Sequence, residues 1–382
     1  MINFVHFQGR PTVTPHLEFN AANDAEVLFK AMEGFGTDEN SMIDILCFRS
    51  SLQRVEIAKV FKAVYGEDLR EEIMSDTSGN FANVLTALAQ STAEFYAREL
   101  RDATSGLGTD ECALIEILCS LNNYEVRAVN AAFGRIFDKS LEDTLRDDTS
   151  GFFRVLMLLL LCGTRDEKMK TDEERASSDA KALRNAGIAK NGTNENEFIR
   201  VLCMRSFDQI KLIAHEYEKL TGNLLEKDIK KEFSGDIEDG LLAVLACALN
   251  TPEYLAQRLY KSMAGLGTKD RHLIRLVVTR SEIDMIDIKE IFERKYGKSL
   301  KSFVDGDTSG DYKNALFALI GENRKKTVME SIDVAKIIEV AADILASDSD
   351  DSADAEENQD SVEENQDSVE EKQDSVEQKQ GN

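Results

Sequence analysis

The sequence predicts an all-α protein built from four copies of one helical module. Three observations predict it. From about Ala21 onward, apolar residues recur at i, i+3, i+4 and i+7, with no convincing strand-type alternation. A glycine loop occurs as Met32-Glu33-Gly34-Phe35-Gly36-Thr37, Thr104-Ser105-Gly106-Leu107-Gly108-Thr109 and Met263-Ala264-Gly265-Leu266-Gly267-Thr268, with a related stretch at Ile188-Ala189-Lys190-Asn191-Gly192-Thr193. In every copy an acidic residue stands forty positions after the last loop glycine: Asp76, Asp148, Glu232 and Asp307. One glycine loop would be weak evidence, but four loops with a carboxylate at one fixed distance are hard to obtain by chance.

Taken in order, residues 1–20 hold two of the three prolines and read as an irregular arm. Module one, 21–90, reads as five helices over about Asp24–Met32, Asp38–Phe48, Leu52–Tyr65, Asp68–Ser75 and Phe81–Gln90. The last of these places Phe81, Val84, Leu85, Leu88 and Ala89 on one stripe, the signature of a face turned to a core. The matching stripes are Phe153, Leu156, Met157, Leu160 and Leu161 in module two (91–162), and Tyr312, Ala315, Leu316, Leu319 and Ile320 in module four (250–326). The last glycines of successive loops are 72, 84 and 75 residues apart. The long middle interval contains 163–180, rich in charge and serine, which reads as a linker between two pairs of modules, with module three over 181–249. Residues 327–346 read as an extra amphipathic helix without a basic face, which favours docking on protein over membrane. The last stretch, 347–382, carries a net charge of −12 and a thrice-repeated Glu-Asn/Lys-Gln-Asp-Ser-Val-Glu, and disorder is its expected state. Ser361 and Ser368, each with acids two and three residues on, suit an acid-directed kinase.

Composition excludes several classes. A net charge of −25, with no basic stripe interleaved with aromatics, argues against nucleic acid. No run of eighteen apolar residues exists to span a bilayer. Met1 to Arg10 lacks a basic region followed by an apolar core, so no secretory signal is expected. The six cysteines show neither metal nor disulfide spacing, and most sit in apolar helical runs, as reduced core thiols of a cytoplasmic protein would. Asp305 to Gly310 imitates the start of an EF-hand, but position twelve is Leu316 where a bidentate Glu is needed. Gly297-Lys298-Ser299 imitates the end of a P-loop, but Phe292 stands in place of its first glycine. The four histidines are scattered with no nucleophile–base pairing, so no enzyme is expected.

The loops suggest a cation. Glycine permits positive φ and leaves carbonyls uncrowded, so a Gly-x-Gly turn can aim several carbonyl oxygens at one point. Calcium takes six to eight oxygens from carbonyls, carboxylates and water. One loop and one carboxylate fill only some of that shell, leaving room for water or a lipid phosphate, with weak binding of roughly 10⁻⁵–10⁻³ M by analogy with weak calcium modules. The same stretch also reads as an interhelical turn in which Thr37, Thr109, Thr193 and Thr268 are N-caps. That explains the threonines but not the distant acids. Helix order returns each acid to the face its loop left, so four sites would share one face. The residues between the glycines, Phe35, Leu107 and Leu266, with Asn191 in module three, are mostly apolar tips. Such tips suit a bilayer interface.

Four modules with Gly-x-Gly-Thr and an acid about forty positions on resemble the annexins, over roughly Leu17 to Lys326. The third loop, longer and starting at Gly187, matches that family's third loop. The resemblance implies four five-helix repeats in a curved disc, with calcium sites lining a convex, membrane-facing surface. It implies calcium ligands at Met32, Gly34, Gly36 and Asp76; at Thr104, Gly106, Gly108 and Asp148; at Gly187, Lys190, Gly192 and Glu232; and at Met263, Gly265, Gly267 and Asp307. All but the four acids act through main-chain oxygen. Departures are Glu33, Ser105 and Ala264, where the family often has a basic residue, Thr104 in place of Met, and the extension at the C-terminus.

The resulting expectation is reversible, calcium-dependent attachment to anionic phospholipid membranes from the cytoplasm. Bound calcium reverses the local charge, the loop threonines hydrogen-bond headgroups, and several weak sites act together. The main competitor is a helical scaffold that recruits a basic protein through the acidic tail, or a partner through the N-terminal arm. A third reading, ion conduction through the module centre, rests on Arg49, Arg205 and Arg280 at matching positions, weakened by Leu121 in module two.

Overall fold

The computed structural model describes residues 9–34, 36–106, 108–168, 170–187 and 192–322. The expected helix at 327–346, the tail at 347–382, and Phe35, Leu107, Lys190 and Asn191 lie outside the described residues. Among the described residues there are nineteen helices and no strand. Repeat 1 comprises α1 (Ala21–Met32), α2 (Glu39–Leu46), α3 (Ser51–Tyr65), α4 (Leu69–Asp76) and α5 (Gly79–Leu88). Repeat 2 runs through α6 (Thr92–Ala103), α7 (Glu111–Ser120), α8 (Asn123–Phe137), α9 (Leu141–Asp148) and α10 (Gly151–Leu161). Repeat 3 has α11 (Glu173–Ala186), α12 (Glu195–Met204), α13 (Phe207–Thr221), α14 (Leu225–Glu232) and the first half of α15 (Asp236–Met263). Asn250, at φ −162° and ψ 91°, breaks α15, and its second half opens repeat 4. That repeat continues with α16 (Asp270–Arg280), α17 (Met285–Tyr296), α18 (Leu300–Asp307) and α19 (Gly310–Leu319).

The helices start and stop where side-chain chemistry dictates. Ser50, Ser91 and Asn122 each form a capping box with the Gln or Glu three residues on. Gly66, Gly222 and Gly297 end α3, α13 and α17 in the left-handed conformation that glycine adopts freely. The expected apolar stripes of modules two and four are buried throughout, as is that of module one apart from partly buried Phe81. Within each repeat the first helix packs on the third: α1 on α3, α6 on α8, α11 on α13, α15 on α17.

Two expectations need correction. The linker reading of 163–180 overlaps α11, which begins at Glu173. Asp172 caps it, and Ala176, Asp179, Ala180 and Leu183 form its buried face; the charge on that face hid the helix pattern. Nor does this stretch hold two pairs of modules apart. Repeats 2 and 3, on either side of it, pack through α10 against α12 and α15, and repeats 1 and 4 pack through α5 against α16 and α19. Gly240 permits the first contact: a Cβ there would collide with Leu156 Cδ2. The arm helps fasten the second. Arg10 forms ion pairs with Asp287 and Glu290, Thr12 N donates to Ser281 O at 2.8 Å, and Arg54 reaches Glu282 at 2.8 Å.

Ion pairs join the remaining elements. Arg49 grips Asp24 at 2.6 Å and Arg205 grips Asp179 at 2.6 Å, linking the first and second helices of repeats 1 and 3. Leu255 stands where repeat 4 would need that acid, and Arg280 turns to Asp284 at 2.6 Å. The three matched arginines are therefore engaged in structural, largely buried pairs. Where repeats 2 and 4 meet, Arg275, 1% exposed, lies between Glu99 at 2.6 Å and Glu116 at 2.8 Å. Arg258 joins Glu116 at 2.9 Å, and Arg271 joins Glu99 at 2.8 Å. Burial pushes the Glu116 carboxyl up, but Arg275, His272 and Arg258 outweigh it and hold the group down at about 2. Of the cysteines, Cys47, Cys119, Cys203 and Cys247 are buried thiols, whereas Cys112 and Cys162 are exposed.

Candidate calcium loops

Each glycine loop joins the first helix of its repeat to the second, and one main-chain bond closes it in the same way four times. Asp38 N donates to Ala31 O at 2.9 Å, Asp110 N to Ala103 O at 2.8 Å, Asn194 N to Ala186 O at 2.7 Å, and Lys269 N to Ser262 O at 2.8 Å. The turn within that closure requires left-handed backbone. Gly34 and Gly36 have φ of 98° and 94°, Gly106 and Gly108 95° and 94°, and Gly265 and Gly267 117° and 81°. No backbone N–H of the described residues bonds the carbonyls of these six glycines. In repeat 3, Gly192 has φ 89°, whereas Gly187 is buried with φ −112°. A Cβ at Gly187 would lie 3.2 Å from the Phe198 ring and 3.6 Å from Glu232 Cγ. The glycine therefore lets the start of this longer loop lie against its own acid.

The acids arrive by a different route. Asp76, Asp148, Glu232 and Asp307 are the last residues of α4, α9, α14 and α18. In repeats 1, 2 and 4 the following threonine turns the chain, its hydroxyl donating to the carbonyl four residues back: Thr77 to Ile73, Thr149 to Leu145 and Thr308 to Val304. Repeat 3 has Phe233 instead, which packs edge-on against Phe198 at 5.0 Å.

The structure joins loop and acid in all four repeats. Thr37 Oγ1 donates to Asp76 Oδ2 and to its carbonyl, both at 3.2 Å. Thr193 Oγ1 donates to Glu232 Oε2 at 2.9 Å. Thr268 Oγ1 lies 3.3 Å from Asp307 Oδ2. In repeat 2, Thr109 Oγ1 bonds the Asp148 carbonyl at 3.0 Å. The forty-residue spacing is thus closed through space by the threonine that ends each loop. This corrects the N-cap reading of these threonines. The N-caps are the next residues, Asp38, Asp110, Asn194 and Lys269, of which Asp38 and Asp110 accept from Ser41 N and Ala113 N. In repeats 1, 3 and 4 the threonine hydroxyl orients the carboxylate instead, and in repeat 2 it holds the main-chain carbonyl of the acid. Sequence reading could not find this bond, because spacing places two residues on one face without saying which atoms meet.

The electrostatics of the acids is unusual. A helix C-terminus carries partial negative charge, and a carboxylate there is unfavourable by about 0.3–1 kcal/mol when exposed. This chain does it four times. Arg146 relieves the last turn of α9, and Lys230 and Lys231 that of α14, whereas α4 and α18 have no basic residue there. Among the described residues no three His, Cys, Asp or Glu side chains cluster as a metal site. The donor set at each loop is one carboxylate with main-chain carbonyls, an all-oxygen set that fits a hard cation with a partly open shell. The tip residue Leu266 is fully exposed. Met32 is partly buried, and Thr104 and Met263 are buried at the starts of their loops.

A model of the annexin family matches residues 23–88, 95–160, 178–244 and 254–319, one match per repeat. The chain is 46% identical to human annexin A11 over 317 residues, covering 83% of this chain and 63% of that protein, so it spans under two thirds of that relative's length. It is also 46% identical to bovine annexin A4, covering 81% of this chain and 97% of that one. Among solved structures, annexin III superposes with a TM-score of 0.81 at 42% identity, over 82% of this chain and 97% of that chain. A calcium-bound annexin (Sm)1 superposes at 0.76 with 38% identity, over 82% and 93%. Four repeats, their closed glycine loops and these likenesses agree: the chain belongs to the annexin family, known for calcium-dependent phospholipid binding.

Proposed function

We propose that this protein attaches reversibly to anionic phospholipid membranes through calcium bridges and serves in membrane organisation or trafficking from the cytoplasm. The observation that carries the reading is the placement of a carboxylate on the last residue of α4, α9, α14 and α18, against the helix dipole and beside a glycine loop, whose glycine carbonyls in repeats 1, 2 and 4 accept no backbone N–H among the described residues. A cation removes the local penalty. The residues that would hold calcium are those named for each loop, and the ion would supply the positive charge that an anionic headgroup needs to approach a chain of net charge −25. Loop tips such as Leu266 enter the interfacial layer, and the four sites share one convex face. No catalytic role is assigned. No helix among the described residues is long and apolar enough to cross a membrane, which is consistent with peripheral attachment.

The test is co-sedimentation with phosphatidylserine vesicles in calcium and in chelator. Pelleting in calcium alone, absent with phosphatidylcholine vesicles, supports the bridge. No pelleting at millimolar calcium sinks it and favours the scaffold that recruits a basic partner.

A further inference from the structure

A cleft of about 760 Å³ lies inside the bend of α15, walled by both halves of that helix and by α7, α14, α16 and α17. The volume falls within the range of small-molecule sites. One stretch of the lining is apolar, formed by Leu242, Ala246 and half-exposed Leu249. Tyr254 also lines the cleft; it is 8% exposed, and its hydroxyl has no hydrogen-bond partner among the described residues.

The charged groups of the cleft fall into two kinds. Lys230 is paired with Glu226, Lys295 with Glu253, Arg258 with Glu116, and His272 lies against Asp110 and Glu116. Lys261 and Lys269, and Glu238 and Asp239, line the same cleft and form no ion pair among the described residues. These cations and acids call for a ligand that carries both signs. Lys269 follows Gly267 by two residues and Lys230 precedes Glu232 by two, so the cleft borders the glycine loops.

We propose that this cleft binds, without calcium, a phosphate bearing a nearby ammonium group. The phosphate rests on Lys261 and Lys269, and the ammonium on Glu238 and Asp239. The chemistry is that of an aminophospholipid headgroup and of free phosphoethanolamine alike. The apolar lining favours the lipid. The site is independent of the calcium bridge, and it is measured in chelator, so failure of either leaves the other standing.

Cys112 supplies the readout, because it is an exposed thiol lining the cleft, whereas Cys162 is exposed elsewhere and the other four are buried. The full chain in chelator is alkylated with iodoacetamide, and the rates at Cys112 and Cys162 are followed by peptide mass spectrometry. The additives are dihexanoylphosphatidylethanolamine below its micelle concentration, or phosphoethanolamine. The proposal expects a saturable slowing at Cys112 of fivefold or more with Cys162 unchanged, and protection by both additives would mean the headgroup suffices. Protection by the lipid alone would assign the site to membrane lipid. K261Q/K269Q should abolish the protection, and E238Q/D239N should weaken it several-fold. Absence of protection by either additive, equal slowing at Cys162, or protection surviving K261Q/K269Q overturns the proposal.

Discussion

Glu116→Gln gives the sharpest test of how repeats 2 and 4 are held together. Glu116 is 3% exposed and accepts from Arg275 at 2.8 Å and from Arg258 at 2.9 Å. Removing its charge leaves Arg258, among the described residues, with only the Cys112 carbonyl at 3.3 Å, and leaves Arg275 with Glu99 and the His272 ring as partners. Breaking one partner out of a buried pair costs about 3–5 kcal/mol, most of it the uncompensated charge left behind. The amide keeps one acceptor, so the lower end, about 3 kcal/mol, is expected. Urea unfolding at pH 7 measures it, and a loss below about 1 kcal/mol would refute the reasoning. A second arm guards against a trivial packing effect. Glu116→Leu combined with Arg258→Met and Arg275→Met replaces all three charges by apolar groups, leaves Glu99 paired with Arg271, and should recover much of the loss. The same group fixes a pH dependence. Its folded carboxyl sits at about 2 against an ordinary 4.5, so the unfolded chain takes up the proton first. The stabilisation is complete above about pH 4.5 and falls away as pH drops toward 2, by roughly 3 kcal/mol at 1.4 kcal/mol per unit. Glu116→Gln should lose this component of the acid sensitivity.

Other expectations concern the loops. Gly36→Ala and Gly267→Ala place a Cβ at φ 94° and 81°, which costs about 1–2 kcal/mol at each loop; calcium-dependent vesicle binding should shift to higher calcium, and urea unfolding in chelator should show each variant less stable by about that amount. Thr193→Val removes the 2.9 Å bond to Glu232, and a bond worth about 1 kcal/mol predicts a roughly fivefold rise in the calcium required by that loop, read by calorimetry in short-chain phosphatidylserine. Leu266→Asp withdraws a fully exposed tip, and vesicle affinity should fall tenfold or more with unfolding unchanged, since burying a leucine is worth about 1.5–3 kcal/mol.

Much of this architecture is legible in the sequence because it is repeated. Periodicity locates the buried stripes, and the fixed spacing of Gly36 to Asp76 and its three counterparts brings together groups that the fold joins through Thr37, Thr109, Thr193 and Thr268. What escapes the sequence is mostly pairing between distant segments. α11 is hidden because Asp179 lies on its buried face, neutralised by Arg205, which sits 26 residues on. The packing of repeat 1 on repeat 4, and of 2 on 3, depends on which faces fit. Gly240 against Leu156 is one such fit, and a glycine inside a helix does not announce it. The cluster of Glu99, Glu116, Arg258, Arg271 and Arg275 draws on four helices, and no local pattern marks its members as partners.

The central claim is that each glycine loop and its distant carboxylate form one calcium site. The most direct measurement is a crystal structure with calcium, using anomalous scattering to place the ions. The account predicts ions about 2.3–2.6 Å from the carboxylates of Asp76, Asp148, Glu232 and Asp307 and from carbonyls of the facing loops. Calcium found away from the glycine loops, or bound by carboxylates without loop carbonyls, would contradict it.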